Sequence, residues 1–240
     1  RQEAASALAE LAVNGDHCAS LVAKGGISPL IELTRRGTDI AKARATCALA
    51  NLAIKNHGVA IVAAGSIVPL VELMRSGPRR VVRCASGPQD VMKHVAVALR
   101  NLIAGESDSV NEAKRAIAAA GGIALLVELT AGRSSHDAKE AAASALHFLA
   151  ISDNRHPFPR QDYRQQMIVA AGGITSLVEL TRSDTAGACT GAMEQAARVL
   201  SSLVDHDGHS PCHTAIVAAG GIAPLIQLMR NGTDQAIEYG

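Results

Sequence analysis

The densest cluster of ligand-type and nucleophilic side chains in this 240-residue chain runs Asp205-His206-Asp207-Gly208-His209-Ser210-Pro211-Cys212-His213. Imidazole, thiolate and carboxylate are the groups that zinc and copper take. The spacing matches no zinc motif, and Asp, Gly, Ser and Pro are also what a solvated loop is made of. The loop reading is adopted, and no metal or other cofactor is assigned. Elsewhere Ser, His and Asp are too dispersed to nominate a triad. A G-x-x-x-x-G-K-[ST] phosphate loop is missing, and the Gly-Gly-Ile phrases have no strand before them to make a dinucleotide site. No catalytic residue follows, and the chain is read as a non-enzyme. Five cysteines, Cys18, Cys47, Cys84, Cys189 and Cys212, are odd in number and never arranged C-x-x-C. That excludes a disulfide framework and predicts an intracellular setting, cytoplasmic with the nucleus open.

The elements that carry these residues are legible from composition and repetition. Hydrophobic residues make up 48% of the chain but aromatics only 2%, with no Trp, so the core must be Ala, Leu, Ile and Val, a helix-packing composition. Lys and Arg total 23 against 22 Asp and Glu, a net charge of +1, which gives nucleic acid or an anionic membrane little to attract. The least polar stretch, Ala116 to Ala131, contains Glu128 and two glycines and is short of the roughly 20 apolar residues of a membrane span, so direct insertion is not expected.

One phrase recurs five times, as Gly25-Gly26-Ile27-Ser28-Pro29-Leu30-Ile31-Glu32-Leu33 and again from Gly65, Gly121, Gly172 and Gly220. A short apolar segment precedes each copy, and the glycines break that helix and release the next at an angle. Pro29, Pro69 and Pro224 fall in the first turn of the second helix, where a missing N–H costs little. A longer third helix follows. Aligned on Glu10, Asn51, Asn101, Phe148 and Ser202, every copy has Leu two before and one after this reference position: Leu8 and Leu11, Leu49 and Leu52, Leu99 and Leu102, Leu146 and Leu149, Leu200 and Leu203. The stripe, set among alanines, is buried only by stacking one unit on another.

The three-helix unit, the A-A-G-G-I-x-x-L-[VI]-E-L phrase and the later A-L-x-N-L phrase resemble the armadillo repeat family, over essentially the whole chain. The resemblance implies an all-α, right-handed α-solenoid, a superhelix of stacked three-helix repeats. The competing two-helix HEAT-type array is disfavoured by the short helix before every glycine pair. A single array is expected over 1–240, with a partial repeat at 1–14, full repeats at about 15–55, 56–105, 106–152 and 153–206, and a partial repeat at 207–240. Neither end reads as a polar capping unit, which predicts an excerpt of a longer array. Units of about 40–47 residues leave the longer copies with insertions: about ten residues around Arg79 to Pro88 and the segment Asn154 to Tyr163. Smaller extensions lie near Glu106 to Val110, Asp184 to Cys189 and Asp205 to Pro211. All are read as loops.

In this family the third helices line a concave groove, and family members hold an extended peptide through an asparagine at the reference position, whose amide both donates and accepts. Asn51 and Asn101 match; Glu10, Phe148 and Ser202 depart from the pattern. Helical spacing adds Arg44, Cys47, Lys93, His94, Val97, Ser144 and Arg198 to the same face. Nuclear-import receptors of this fold carry Trp where Cys47 and Val97 stand, so that role is not expected. Two readings stay open for the asparagines, peptide contact or a bridge between helices. Arg44, Lys93, His94 and Arg100 form either a basic patch for an acidic partner or an ordinary solvated face. Phe148 is either a groove anchor or core. The resemblance implies a non-enzymatic scaffold that binds a protein or peptide partner. The alternative is the substrate-recognition array of a larger armadillo protein, such as a U-box ubiquitin ligase.

Overall fold

Every glycine pair ends one helix and starts another. The computed structural model describes residues 2–13, 15–76, 82–84, 87–105, 107–132, 134–151, 163–182, 190–204 and 211–231. Helices of the first kind are α2 (Gly15–Ala23), α5 (Gly58–Ala63), α8 (Asp108–Ala119), α11 (Tyr163–Ala170) and α14 (Pro211–Ala218). Those of the second kind are α3 (Ile27–Arg36), α6 (Ile67–Ser76), α9 (Gly122–Ala131), α12 (Gly173–Thr181) and α15 (Ile222–Asn231). The third kind comprises α1 (Gln2–Val13), α4 (Asp39–Leu52), α7 (Val91–Ile103), α10 (His136–Ala150) and α13 (Thr190–Leu203).

The first glycine of each phrase takes a left-handed backbone, with φ between 71° and 78° at Gly25, Gly65, Gly121, Gly172 and Gly220. At the last pair Gly220 N–H and Gly221 N–H donate to the carbonyls of Val217 and Ile216, both at 2.9 Å, closing off α14. The segments on either side, Cys212–Ala218 and Ile222–Arg230, meet at 83°. Three of the third helices, α4, α7 and α10, start at side-chain caps: Thr38 accepts from Ala41 N–H at 3.3 Å, Asp90 from Lys93 N–H at 3.1 Å and Ser135 from Ala138 N–H at 3.2 Å.

The chain divides into two compact units, Arg1–Gly122 and Ile123–Gly240. In the first, α4 packs between α1 and α7, α3 packs on α6, and α6 on α8. In the second, α10 packs along α13, and α12 contacts α13, α14 and α15. Leu49, Leu52, Leu99, Leu102, Leu146, Leu149, Leu200 and Leu203 are buried, as are most alanines of α4 and α10. Methyl-sized neighbours bring the helices close, which explains a core almost without aromatics. Among the described residues no single helix is long and apolar enough to cross a membrane.

Three stretches read as loops hold regular structure, and one further junction is continuous. The insertion around Arg79 to Pro88 contains two antiparallel strands, β1 (Val82–Cys84) and β2 (Gly87–Gln89). The Glu106 to Val110 extension belongs mostly to α8, which starts at Asp108 on a Ser107 cap and runs 12 residues. Between α4 and α5 there is no loop at all, only a π turn over Ala53–His57. Pro211 opens α14, so Cys212 and His213 stand on a helix. Residues 154–162, 184–189 and 205–210 lie outside the described residues.

Candidate functional site

Third helices present one face at intervals of three, four and seven residues, and neighbouring third helices set these faces side by side. In the first unit α4 contributes Arg44, Cys47 and Asn51, and α7 contributes Lys93, His94, Val97 and Asn101. Cys47, Asn51, Lys93, His94, Val97 and Asn101 are half-buried, as groove-lining groups must be. Arg44 is only 7% exposed, because α4 is flanked by α1 and α7 with β1 also against it. In the second unit Phe148, Arg198 and Ser202 are half-buried and Ser144 is buried. The Phe148 ring leans on that of His147, centroids 5.6 Å apart.

The reference position bridges repeats. Asn101 Nδ2 donates to the carbonyl of Ala50 at 3.2 Å, and Asn101 Oδ1 accepts from Arg100 Nε and Nη2 at 3.1 and 3.0 Å. An amide has two N–H donors, so Asn101 keeps one for another acceptor. Asn51 makes a weaker contact, its Nδ2 lying 3.9 Å from Cys47 Sγ. In the second unit Ser202 Oγ and His147 Nδ1 are 2.9 Å apart. In both cases the partner is the residue just before the reference position of the preceding repeat. Ser202 Oγ also donates to the Arg198 carbonyl at 2.8 Å, so the Ser–His contact is a brace rather than a nucleophile activated by a base.

His94 sits in the middle of the first-unit column. Burial holds its imidazole below the ordinary 6.5, and the charges of Lys93 and Arg44 act in the same direction. Contact with the Asp90 backbone and the Asp90 carboxylate opposes them in part. The unfolded chain therefore binds this proton more readily than the folded one. Stability associated with His94 is complete above pH 6.5 and declines as the pH falls below 6.5 toward the depressed folded value. Urea unfolding of wild type and His94→Gln at a series of pH values should show the wild type losing stability as the pH falls below 6.5, with a shallower slope in the variant. Identical slopes would remove His94 as the cause.

Two bridging side chains went unnoticed in the sequence. Arg75 Nη2 donates to the Ala120 carbonyl at 2.9 Å, and Arg182 Nη2 to those of Ala219 and Gly220 at 2.9 and 3.1 Å. Each caps the open C-terminal end of the next first helix, where carbonyls lack helical partners and positive charge is favoured. The signal was present: Arg stands ten residues after the first glycine in four of the five copies, as Arg35, Arg75, Arg182 and Arg230. Gln165 does a similar task on the third helices, donating to Ala150 and Ser202 carbonyls at 3.0 and 3.2 Å. Of the His/Cys tract, Cys212 is buried and His213 half-buried in α14.

No family model matches the sequence, and no curated protein matches it. Solved structures do. An engineered protein is 30% identical, with a TM-score of 0.77 over 99% of this chain and 86% of that one. A structure of computationally designed armadillo repeat proteins for modular peptide recognition has a TM-score of 0.77 at 22% identity, covering 99% of this chain and 89% of that one. A designed armadillo repeat protein in complex with the peptide (KR)4 has a TM-score of 0.75 at 21% identity, with the same coverage of 99% and 89%. With the five-fold phrase and the three-helix units, these likenesses establish the class as the all-α solenoid of stacked three-helix repeats. The chain has the armadillo repeat fold.

Proposed function

We propose that the chain is a non-enzymatic protein-interaction scaffold whose third helices hold an extended segment of a partner. The observation that carries this reading is the half-buried polar column of Cys47, Asn51, Lys93, His94, Val97 and Asn101 on the adjacent helices α4 and α7. Preformed on packed helices, such a surface binds without the cost of ordering the receptor. A peptide in complex with a designed protein of the same fold supports it. Within the column, the free N–H of Asn101 and the amide of Asn51 supply backbone contacts, and Val97 supplies apolar surface.

The test is a displayed library of unstructured peptides selected on the intact chain, followed by affinity measurement on variants. Asn51→Ala with Asn101→Ala should weaken the selected peptides about tenfold or more, near 1.4 kcal/mol. Asn101→Ala also removes the brace to Ala50 and so costs about 1 kcal/mol of stability, whereas Asn51→Ala leaves stability unchanged. Affinities that do not move in the double variant, with its helical signal intact, would take the binding away from this column.

A further inference from the structure

Burial repeats along the array as regularly as sequence does, and two faces break the rule. On the second helices Ile226 is 45% exposed, whereas its equivalents Ile31, Val71, Val127 and Val178 are at most 4% exposed. Met229 is exposed where Thr34, Met74, Thr130 and Thr181 are buried, and Ile222 where Ile27, Ile67, Ile123 and Ile174 are buried. Spaced four and three residues apart, the three side chains form one apolar stripe on α15. On the third helices Leu11 is exposed, although Leu52, Leu102, Leu149 and Leu203 are buried. Ala4 and Ala7 of α1 are exposed too, while their equivalents on α4, α7, α10 and α13 are fully buried.

Two junctions inside the array show what covers such a stripe. Where α6 packs on α8, a Cβ built on Gly122 would lie 3.2 Å from Val71 Cγ2. Where α12 packs on α14, a Cβ on Gly221 would lie 3.1 Å from Val178 Cγ2. Four residues after each valine, Arg75 and Arg182 reach the carbonyls of Ala120 and Ala219 beside the same glycines. A β-branched side chain and a guanidinium from one second helix thus interlock with the glycine turn of the next repeat. Ile226 and Arg230 repeat that pair on α15, both exposed. A matching turn also stands uncovered, at Gly25–Gly26. A Cβ on Gly25 would meet nothing within 4 Å, and the three atoms nearest to one on Gly26 all belong to Leu21 of the same repeat.

We propose that a second copy of this chain docks head to tail on α15. Its Gly25–Gly26 turn receives Ile226 and Arg230, and its α1 brings Ala4, Ala7 and Leu11 in as the third helix beside α14 and α15. Continuity with the α6–α8 and α12–α14 junctions selects this occupant, because the stripe and the turn that fits it are both on the one chain. The contact is heterologous, so it does not stop at two copies unless it closes a ring. Lys24 stands where Ala120 and Ala219 stand at the two junctions, and it sets a cation beside Arg230. That like charge weakens the association without blocking it, since a lysine stem can swing its ammonium into solvent.

The experiment is sedimentation velocity of the intact chain between about 1 and 100 μM, where a modest interface titrates. The average mass should rise with concentration. Ile226→Glu with Met229→Glu should hold the chain monomeric, and so should Ala7→Glu with Leu11→Glu. All four side chains are exposed, so both variants should keep the helical circular dichroism of the wild type. Mixed in equal amounts, the two variants should form a complex that stops at two chains, because each supplies the face that the other has lost. Lys24→Ala should tighten the association about threefold, and removal of residues 232–240 should not weaken it. A monomer throughout the concentration range overturns the proposal and leaves the stripe to a repeat of different sequence. Association that survives in the Ala7 and Leu11 variant gives the contact to two α15 stripes, and a mixture that stays monomeric shows that the two faces do not meet. Either result overturns head-to-tail docking, as does association lost with residues 232–240.

Discussion

Leu99→Ala should lower the unfolding free energy by about 4 kcal/mol, near the upper end of the range for a large-to-small core change. Leu99 is fully buried on α7, which packs on α4, the helix of the equally buried Leu49 and Leu52. The loss depends on how far the surroundings collapse into the hole. The two packed helices are rich in alanine, with Ala45, Ala48, Ala96 and Ala98 all fully buried. An alanine has no rotamer with which to fill a void, so the cavity should persist. The matching substitution Leu11→Ala in α1, where the leucine is 44% exposed, should change stability by less than about 0.5 kcal/mol. Urea unfolding followed by circular dichroism measures both. Because repeat arrays couple neighbour to neighbour, Leu99→Ala should also broaden the transition. Equal losses at Leu99 and Leu11 would mean that burial of the leucine is not what sets the cost.

The stripe was readable because its cause is local: a helix of period 3.6 with Leu at i and i+3 has one apolar side wherever it sits. The same holds for the glycine phrase, where the left-handed turn depends on the residue itself. Contacts between repeats were hidden, since Asn101 meets Ala50 and His147 meets Ser202 only after stacking has set the helices side by side. The asparagine positions were located by family resemblance, and their bridging partners required the structure. The hairpin escaped notice for another reason. Val82–Cys84 and Gly87–Gln89 are each too short to show the alternation by which strands are recognised. Burial of Arg44 was equally out of reach, because helical spacing assigns a face to a residue without saying what covers that face.

The largest conformational effect is expected at the glycine pairs, where two adjacent glycines are required for different reasons. Gly172 has φ 76° and ψ 20°, and a Cβ built on it would meet nothing within 4 Å. Any cost there is conformational, about 1–2 kcal/mol for an ordinary side chain in the left-handed region and more for a β-branched one. Gly173 opens α12, and its Cβ would lie 2.6 Å from both the carbonyl oxygen and Cγ2 of Ile168. The cost there is steric, and that oxygen cannot withdraw without unwinding the end of α11. Gly172→Val should therefore be strongly destabilising while Gly172→Asn keeps most of the wild-type stability, since Asn adopts this conformation readily. At Gly173 both Val and Asn should cost about 2–3 kcal/mol, because asparagine's backbone tolerance does nothing for a clash. The second copy shows how far the steric rule bends: Ser66 occupies the equivalent place, fully buried, and its Oγ finds no hydrogen-bond partner among the described residues. Gly173→Ser should accordingly be milder than valine yet still cost about 1–2 kcal/mol for its unsatisfied hydroxyl. Thermal unfolding of the five variants decides the matter. Asparagine that fails at Gly172, or that rescues at Gly173, would show that the two positions do not divide the turn and the close approach between them.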